Sequence, residues 1–297
     1  MASPHPSPRA SSWQSALRYS DRFDYPLTLA ELWYWQVGSR YSKLKLKKLF
    51  ENWKLKTENY YFLPHRQKIV STRLLRTRYS RSKWVIARRV GDTLAHFPTI
   101  QAVFVTGALA MNNSPKNDDI DIMIVTSPHT LWLTRLAIIA LLTITGQRRP
   151  SSLPEHSSPR VSNKVCDNLY LDTHNLQLTT HNLYTAHEIL QARPIFDRSG
   201  IHRRFLTENS WVGDYLPIAY RQSLKNLENY KISKLNENWK LKIENLLFWP
   251  LNLLAFLIQY AYMKPKMTSE KIGLGFAYFH PHGNILTCGQ ALPEEKT

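Results

Sequence analysis

The pattern of apolar and polar positions divides the chain into a helical beginning, a central group of strands and a mainly helical remainder. Residues 100–126 contain two apolar, β-branched runs separated by a polar loop, which is typical of buried strands. A third strand is predicted within residues 164–178, "KVCDNLYLDTHNLQL". From residue 183 onward the spacing of apolar residues favours helices. The predicted fold class is therefore α+β, with a small mixed β-sheet.

The first 70 residues show the pattern of a small helical unit that ends in a β-hairpin. Thr28 and Glu31 have the spacing of a capping box ahead of an apolar run. A second apolar run follows, and "NYYF" favours a strand. Three helices and a hairpin predict a winged helix over residues 19–70. The Pro- and Ser-rich residues 1–18 are expected to be a flexible tail, and they lack the apolar segment of a secretory signal.

A basic helix over residues 71–98 is predicted to connect this unit to the strands. No acidic residue occurs between Glu58 and Asp92, and nine basic residues lie between Arg66 and Arg89. Two interpretations stay open. The basic residues form a solvated face that packs one domain on the next, or residues 66–89 contact nucleic-acid phosphates.

Charge and cysteine content narrow the class of protein. A net charge of +17 and a pI near 9.9 favour a polyanionic partner, which can be nucleic acid, nucleotide phosphate or an anionic membrane surface. Two cysteines, Cys166 and Cys288, are too few and too distant for a disulfide framework or a zinc site, so a reducing, cytoplasmic compartment is expected. Walker A and G-x-S-x-G motifs are absent from the sequence, which argues against P-loop and hydrolase-elbow chemistry.

One apolar segment, residues 246–263, is long enough in principle to meet a membrane. It is interrupted by a helix breaker and two polar residues, Pro250, Asn252 and Gln259. A buried or interfacial helix is therefore expected here in preference to a spanning one.

Three carboxylates are gathered where the polar loop meets the second strand. Asp118, Asp119 and Asp121 are the only acidic residues in the interval 94–153. Side chains alternate along a strand, so Asp119 and Asp121 are expected to point to the same side, about 6.6 Å apart along its axis. Two such charges repel unless a cation lies between them, and Mg²⁺ prefers oxygen ligands that it shares with phosphate and water. With the backbone N–H groups near Gly107, this pattern predicts a site for a metal–triphosphate.

These residues resemble the signature of the polymerase-β-like nucleotidyltransferase superfamily. The signature is a small-residue pair, a spacer and two aspartates separated by an apolar residue, here Gly107-Ala108 and Asp119-Ile120-Asp121-Ile122. The segments "YSDRFDYPLTLAELWYW", "YYFLPHRQKIV" and "NLYTAHEILQARPIFDR" resemble an uncharacterised bacterial group that joins a winged helix to such a transferase domain. The resemblance implies a nucleotidyltransferase core over residues 99–200 and a helical C-terminal region over residues 201–297.

The chemistry implied by this resemblance is transfer of a nucleoside monophosphate from a nucleoside triphosphate to a hydroxyl acceptor. Asp119 and Asp121 would hold two Mg²⁺ (or Mn²⁺) ions. Asp172 is the expected third catalytic carboxylate, and Asp167 is the alternative. The expected nucleotide-binding residues are Thr106, Gly107, Ala108, Lys116 and Arg135, with Arg148 or Arg149 as further phosphate ligands.

Ala108 departs from the serine that is common in the family, which removes one hydroxyl contact to phosphate. An alternative function follows from this departure, from the winged helix and from the basic run. The protein would then be a DNA-binding regulator whose transferase domain is inactive and only senses nucleotide.

Overall fold

The computed structural model describes residues 12–38, 41–50, 56–57, 59–150, 160–198, 200–228, 239–267 and 270–279. Within them the protein combines helices with a mixed β-sheet, so the predicted α+β class is correct.

The N-terminal unit contains three helices and a small antiparallel sheet. Its elements are α1 (Ser12–Asp21), β1 (Leu27–Thr28), α2 (Leu29–Tyr34), α3 (Lys43–Phe50), β2 (Lys56–Thr57) and β3 (Tyr60–Tyr61), and its strands lie in the order β1-β3-β2. The predicted capping box is present at the start of α2, where the Thr28 backbone N–H donates to Glu31 Oε2 at 2.8 Å and the Glu31 N–H donates to Thr28 Oγ1 at 3.3 Å.

Helix α1 begins inside the segment that was predicted to be a flexible tail. Its side chains at Ala16 and Leu17 are buried in the core. The prediction was therefore wrong for residues 12–18, because apolar side chains there pack against the rest of the protein. Residues 1–11 lie outside the part of the chain that the structure describes.

Helix α4 (Ile69–Leu94) leads into a six-stranded sheet. The strands are β4 (Ile100–Val105), β5 (Ile120–Thr126), β6 (Val165–Asp172), β7 (Arg193–Asp197), β8 (Lys271–Ile272) and β9 (Phe276–Tyr278), in the order β7-β4-β5-β6-β9-β8. Only β5 and β6 are parallel among the pairs of this described sheet. Strand β4 is buried along its whole length and β5 along nearly all of it, which explains why both are almost wholly apolar.

Helices cover both faces of the sheet. They are α5 (Gly107–Ala110), α6 (Leu131–Ile144), α7 (Leu183–Gln191), α8 (Ile201–Glu208), α9 (Val212–Tyr215), α10 (Pro217–Glu228) and α11 (Trp239–Met263). Ile122 and Ile124 of β5 share a core with α4, α6 and α11. Met123 and Val125 share the other core with α7, α8 and the N-terminal unit. Among the described residues, no helix has both the length and the apolar character needed to cross a membrane.

The basic run of α4 and the turn before it divides between two faces. Three arginines hold the acidic residues of the N-terminal unit: Arg66 pairs with Asp21 and Asp24 at 2.7 and 2.6 Å, Arg73 with Glu31 at 2.7 Å, and Arg76 with Asp24 at 3.3 Å. For these residues the packing interpretation applies. Four others are exposed on the outer side of α4 and remain a candidate phosphate surface: Arg78, Arg81, Arg88 and Arg89.

Candidate metal and nucleotide site

The turn after β4 and the beginning of β5 bring the two predicted aspartates together. The Thr106 N–H donates to the Asp121 carbonyl at 3.1 Å, and Gly107 follows with a left-handed φ of 60°. Ligand atoms of Asp119, Asp121 and Cys166 all lie within 4.8 Å of one another. A Cβ at Gly107 would lie 2.6 Å from Asp121 Oδ2, so the turn can approach this carboxylate only because residue 107 is glycine.

The predicted nucleotide-binding turn is open to solvent. Thr106, Gly107 and Ala108 are partly exposed, as is Asp121. Asp119 is buried. A ligand can therefore reach the cluster from the side of the turn.

Strand β6 places a cysteine and an asparagine beside Asp121. The parallel register pairs Asp121 with Cys166, and an extra residue, Asn168, is then accommodated in β6. Asn168 Nδ2 donates to Asp121 Oδ1 at 2.7 Å, which fixes the orientation of that carboxylate. The bulge also puts Cys166 on the same side of the sheet as Leu169.

Asp172, the expected third carboxylate, lies at the other end of β6. It pairs with Thr126, five residues along β5 from Asp121, which corresponds to about 16 Å. Its Oδ1 accepts hydrogen bonds from the His174 N–H at 2.9 Å and from Asn175 Nδ2 at 2.7 Å. The structure thus corrects this expectation: Asp172 stabilises a turn at the strand end, away from Asp119 and Asp121.

The alternative, Asp167, faces the opposite side of the sheet. It pairs with Ile122 in the register. Its carboxylate accepts hydrogen bonds from Arg148 Nε at 3.0 Å and from Tyr170 Oη at 3.1 Å. Asp167 and Arg148 neutralise each other there, so neither of them joins the cluster.

Among the basic residues considered from the sequence, Arg149 is the one that reaches the aspartates. Its Nη1 lies 2.9 Å from Asp119 Oδ2 and 3.6 Å from Cys166 Sγ. The first contact is an ion pair without hydrogen-bond geometry, and the buried Asp119 Oδ2 accepts no hydrogen bond from the described residues. This oxygen retains capacity for another electropositive ligand.

One of the expected nucleotide ligands, Arg135, is placed elsewhere. Arg135 is buried on the other face of the sheet, where its Nη1 donates to Gln259 Oε1 at 2.6 Å and its guanidinium lies 4.2 Å from the ring centroid of Phe279. That expectation was wrong, because α6 turns this side of its surface toward α11. Lys116 is exposed in the loop before β5, and its carbonyl accepts a hydrogen bond from Ser162.

Glu188 is a further carboxylate that sequence reasoning did not identify. It projects from α7 on the side of the sheet that also carries Asp121, and its negative charge acts on Asp121. Burial raises the pKa of Glu188 to about 7. A hydrogen bond from the Gly107 backbone lowers this pKa, but its effect is smaller than that of burial. No motif marks Glu188 in "NLYTAHEILQA", because its proximity to Gly107 arises only when α7 packs on the sheet.

Lys83 is a second residue that the sequence did not single out. Its side chain is 1% exposed, and its Nζ donates to Ser114 Oγ at 2.9 Å and to the carbonyls of Pro115 and Asp118 at 2.7 and 2.6 Å. Burial lowers the pKa of Lys83, while the three aspartates oppose this shift. Lys83 therefore fixes the loop that delivers Asp118 and Asp119 to the site.

The electrostatics of the cluster favour a divalent cation. Burial, together with the charges of Asp119 and Asp118, raises the pKa of Asp121 well above its usual range. Burial and the same acidic neighbourhood raise the pKa of the Cys166 thiol. Two closely placed carboxylates and an oxygen without a hydrogen bond fit Mg²⁺ or Mn²⁺. The sulfur of Cys166 adds a ligand that softer ions such as Zn²⁺ accept more readily than Mg²⁺ does.

Comparisons of the chain with protein-family models, with curated proteins and with solved structures find no match. The relation to nucleotidyltransferases therefore remains an expectation, and it rests on the resemblance at Gly107, Asp119 and Asp121. The function has to be inferred from the side chains of the site and from their surroundings.

Proposed function

We propose that this protein is a divalent-metal-dependent nucleotidyltransferase. The observation that carries the proposal is the convergence of the Asp119 and Asp121 carboxylates beside the Gly107 turn. An acidic pair beside a partly exposed backbone turn, in a chain of net charge +17, suits a substrate that brings both a metal ion and phosphates. Nucleoside triphosphates are substrates of this kind. The acceptor would be a hydroxyl group that forms a bond to the α-phosphorus, and pyrophosphate would leave.

The residues of the cluster have distinct roles in this proposal. A bound Mg²⁺ or Mn²⁺ ion would neutralise phosphate charge and lower the pKa of the acceptor hydroxyl. Asp119 and Asp121 would hold the ion, and Asn168 orients Asp121 through its hydrogen bond to Oδ1. Arg149, which pairs with Asp119, can exchange this partner for a phosphate oxygen.

Glu188 would be the general base in the proposed reaction. A carboxylate with a pKa of about 7 is half ionised near neutral pH, so it can accept a proton there and release it again. It would take the function that was assigned to Asp172 from the sequence. The third carboxylate would then come from a helix on the face of the sheet and not from the neighbouring strand.

A second function is favoured by the composition of β6. On β6, the residues beside Asp121 are Cys166 and Asn168, and neither is the third carboxylate that the resemblance implies for a neighbouring strand. Arg149 also neutralises the negative charge of Asp119 through an ion pair. Both features suit a nucleotide sensor without transfer activity. The N-terminal order of helix, strand, two helices and hairpin supports a winged helix, which would make this sensor a DNA-binding regulator.

The test of the proposed function is the double variant Asp119→Asn with Asp121→Asn. We expect the wild-type chain to consume at least one labelled nucleoside triphosphate with Mg²⁺ or Mn²⁺, and the variant to be slower by at least about 100-fold because the ion is no longer held. Mn²⁺ binding, measured by electron paramagnetic resonance, should be lost as well. Asp92→Asn with Asp214→Asn is the matched control, since both residues are exposed and the charge change is equal.

The outcomes separate the two functions. Turnover at the wild-type level in the Asp119/Asp121 variant would refute the transferase. Nucleotide and Mn²⁺ binding by the wild-type chain without turnover or modification of cell-extract components would favour the sensor. A wild-type chain that binds neither would exclude both functions.

A further inference from the structure

In the part of helix α11 whose side chains the structure describes, residues 248–263, polar side chains are buried and large apolar side chains are exposed. Between residues 249 and 262 every exposed position is apolar, and six of these positions carry large side chains: Trp249, Leu251, Leu254, Leu257, Ile258 and Tyr262. These six side chains, here called the α11 stripe, are between 48% and 68% exposed. Asn252 and Gln259 are buried. A surface helix of a globular protein normally shows the reverse arrangement.

Hydrogen bonds to α6 hold the helix in this orientation. Asn252 Oδ1 accepts the backbone N–H groups of Trp132 and Leu133 at 2.8 and 3.2 Å. Gln259 Nε2 donates to the Trp132 carbonyl at 2.8 Å, and its Oε1 accepts Arg135 Nη1 at 2.6 Å. Rotation of α11 to bury its leucines would leave these groups without partners in the protein interior, which is costly. The α11 stripe is therefore fixed on the outside.

Positive charge borders the stripe at its C-terminal end. No acidic residue occurs from Asn245 to Ser269 in the sequence. Lys264 and Lys266 follow the helix directly and are exposed, and Lys266 Nζ lies 3.7 Å from the ring centroid of Tyr262. The apolar face of α11 thus has an aromatic residue near each end and lysines at its edge. These are features of a helix that lies in a membrane interface.

We infer that the α11 stripe is a binding surface for an anionic lipid bilayer, with the helix lying parallel to the membrane plane. The stripe spans residues 249–262, which correspond to about 20 Å along the helix axis. The apolar side chains would enter the boundary between headgroups and acyl chains, and Lys264 and Lys266 would contact acidic headgroups. This surface is independent of the transfer chemistry.

Charge favours a bilayer over a second copy of the chain as the partner. Exposed apolar patches of this kind commonly mark interaction sites. Two copies would each bring a net charge of +17 and a pair of lysines to the interface, without acidic residues in the segment to compensate them. Acidic headgroups complement both the lysines and the net charge.

Co-sedimentation with phosphatidylcholine vesicles, with and without phosphatidylglycerol, tests the inference. We expect the wild-type chain to sediment with the anionic vesicles. Leu254→Asp with Ile258→Asp should weaken this binding by more than about 100-fold, since two large apolar side chains no longer enter the lipid. Lys264→Gln with Lys266→Gln should weaken it by roughly 25-fold and reduce the preference for anionic lipid.

A matched control is available on another helix. Leu74 and Leu75 of α4 are 48% and 49% exposed, so Leu74→Asp with Leu75→Asp makes the same chemical change outside the stripe and should leave vesicle binding unchanged. Equal loss in this control would overturn the inference, as would a wild-type chain that sediments with neither kind of vesicle. A wild-type dimer that Leu254→Asp with Ile258→Asp converts to a monomer, without vesicle binding by either form, would identify a second copy as the partner.

Discussion

Asp121 is contacted by two other parts of the chain, the turn after β4 and strand β6. Its carbonyl accepts the Thr106 N–H, its Oδ1 accepts Asn168 Nδ2, and its Oδ2 lies against Gly107. Because different segments fix these oxygens, the carboxylate cannot turn away from Asp119 to relieve their repulsion. Burial and Asp119 accordingly raise the pKa of Asp121. A divalent cation removes this repulsion, which is the physical reason to expect one here.

Gly107→Ala tests the contact between the turn and the carboxylate. The new Cβ would lie 2.6 Å from Asp121 Oδ2, and the left-handed φ of 60° is unfavourable for alanine. We expect a loss of about 1–3 kcal/mol in the free energy of unfolding and a decrease of at least about tenfold in Mn²⁺ affinity, since the carboxylate must move. Urea unfolding and electron paramagnetic resonance measure the two effects.

Gly146→Ala is the control for this substitution. Gly146 has a similar φ of 64°, and a Cβ there would meet nothing within 4 Å. It should lose stability through backbone strain alone and bind Mn²⁺ as the wild-type chain does. If Gly107→Ala behaves like this control in both measurements, the approach of Gly107 to Asp121 does not matter for the site.

Alternation of side chains along a strand was sufficient to predict that Asp119 and Asp121 point to the same side, and the resemblance added Gly107 to the site. It was not sufficient to predict their neighbours. Asn168 reaches Asp121 because one residue of β6 is extra in the register, and Glu188 comes from a helix more than sixty residues away in sequence. Both depend on contacts across the sheet, which the local pattern does not contain.

At the scale of elements, register and helix orientation decide which expectations hold. A third strand within residues 164–178 was predicted, and β6 (Val165–Asp172) lies there. The parallel register, however, places Asp172 opposite Thr126 and Cys166 opposite Asp121. The sequence of a strand does not state the register of its pairing, so the wrong end of β6 was chosen. The prediction that Arg135 binds nucleotide was wrong for a similar reason, because the sequence of α6 does not reveal which of its sides faces α11.

Lys83 of helix α4 holds the loop that leads to the site, and Lys83→Met tests this coupling. The substitution removes the donor to Ser114 Oγ and to two carbonyls in a buried loop. We expect a loss of about 3–5 kcal/mol in the free energy of unfolding and weaker Mn²⁺ binding, since Asp118 and Asp119 follow this loop. Arg89→Met removes the same charge from an exposed position of α4 and should change stability by less than about 0.5 kcal/mol. Equal stability of the two variants would show that Lys83 does not hold the loop.

At the scale of the whole molecule, the N-terminal unit is joined to the sheet by a shared core. Leu32, Leu46 and Tyr61 belong to the same apolar cluster as Phe104 and Val125. The spacing of apolar residues in each segment predicted the helices but not this packing between segments. Its consequence is practical: a fragment of residues 1–100 would expose the face that normally packs on the sheet, so nucleic-acid binding has to be measured on the full chain.

Nucleic-acid binding through α4 itself should depend on four arginines. Arg66, Arg73 and Arg76 are engaged with acidic residues and Lys83 with the buried loop. Of the five basic residues that are left, Lys68 precedes the helix, and the other four, Arg78, Arg81, Arg88 and Arg89, are exposed on α4. Four phosphate contacts give a slope of about −3.6 for the logarithm of the DNA-binding constant against the logarithm of salt concentration.

Replacing Arg78, Arg81, Arg88 and Arg89 with glutamine should abolish the binding, as measured by fluorescence anisotropy. The same change at the four exposed lysines of α3, Lys43, Lys45, Lys47 and Lys48, should preserve it. The opposite result would assign the DNA contact to α3 and leave the basic face of α4 as a solvated surface. A slope much steeper than about −3.6 would show that residues besides these four contact phosphates.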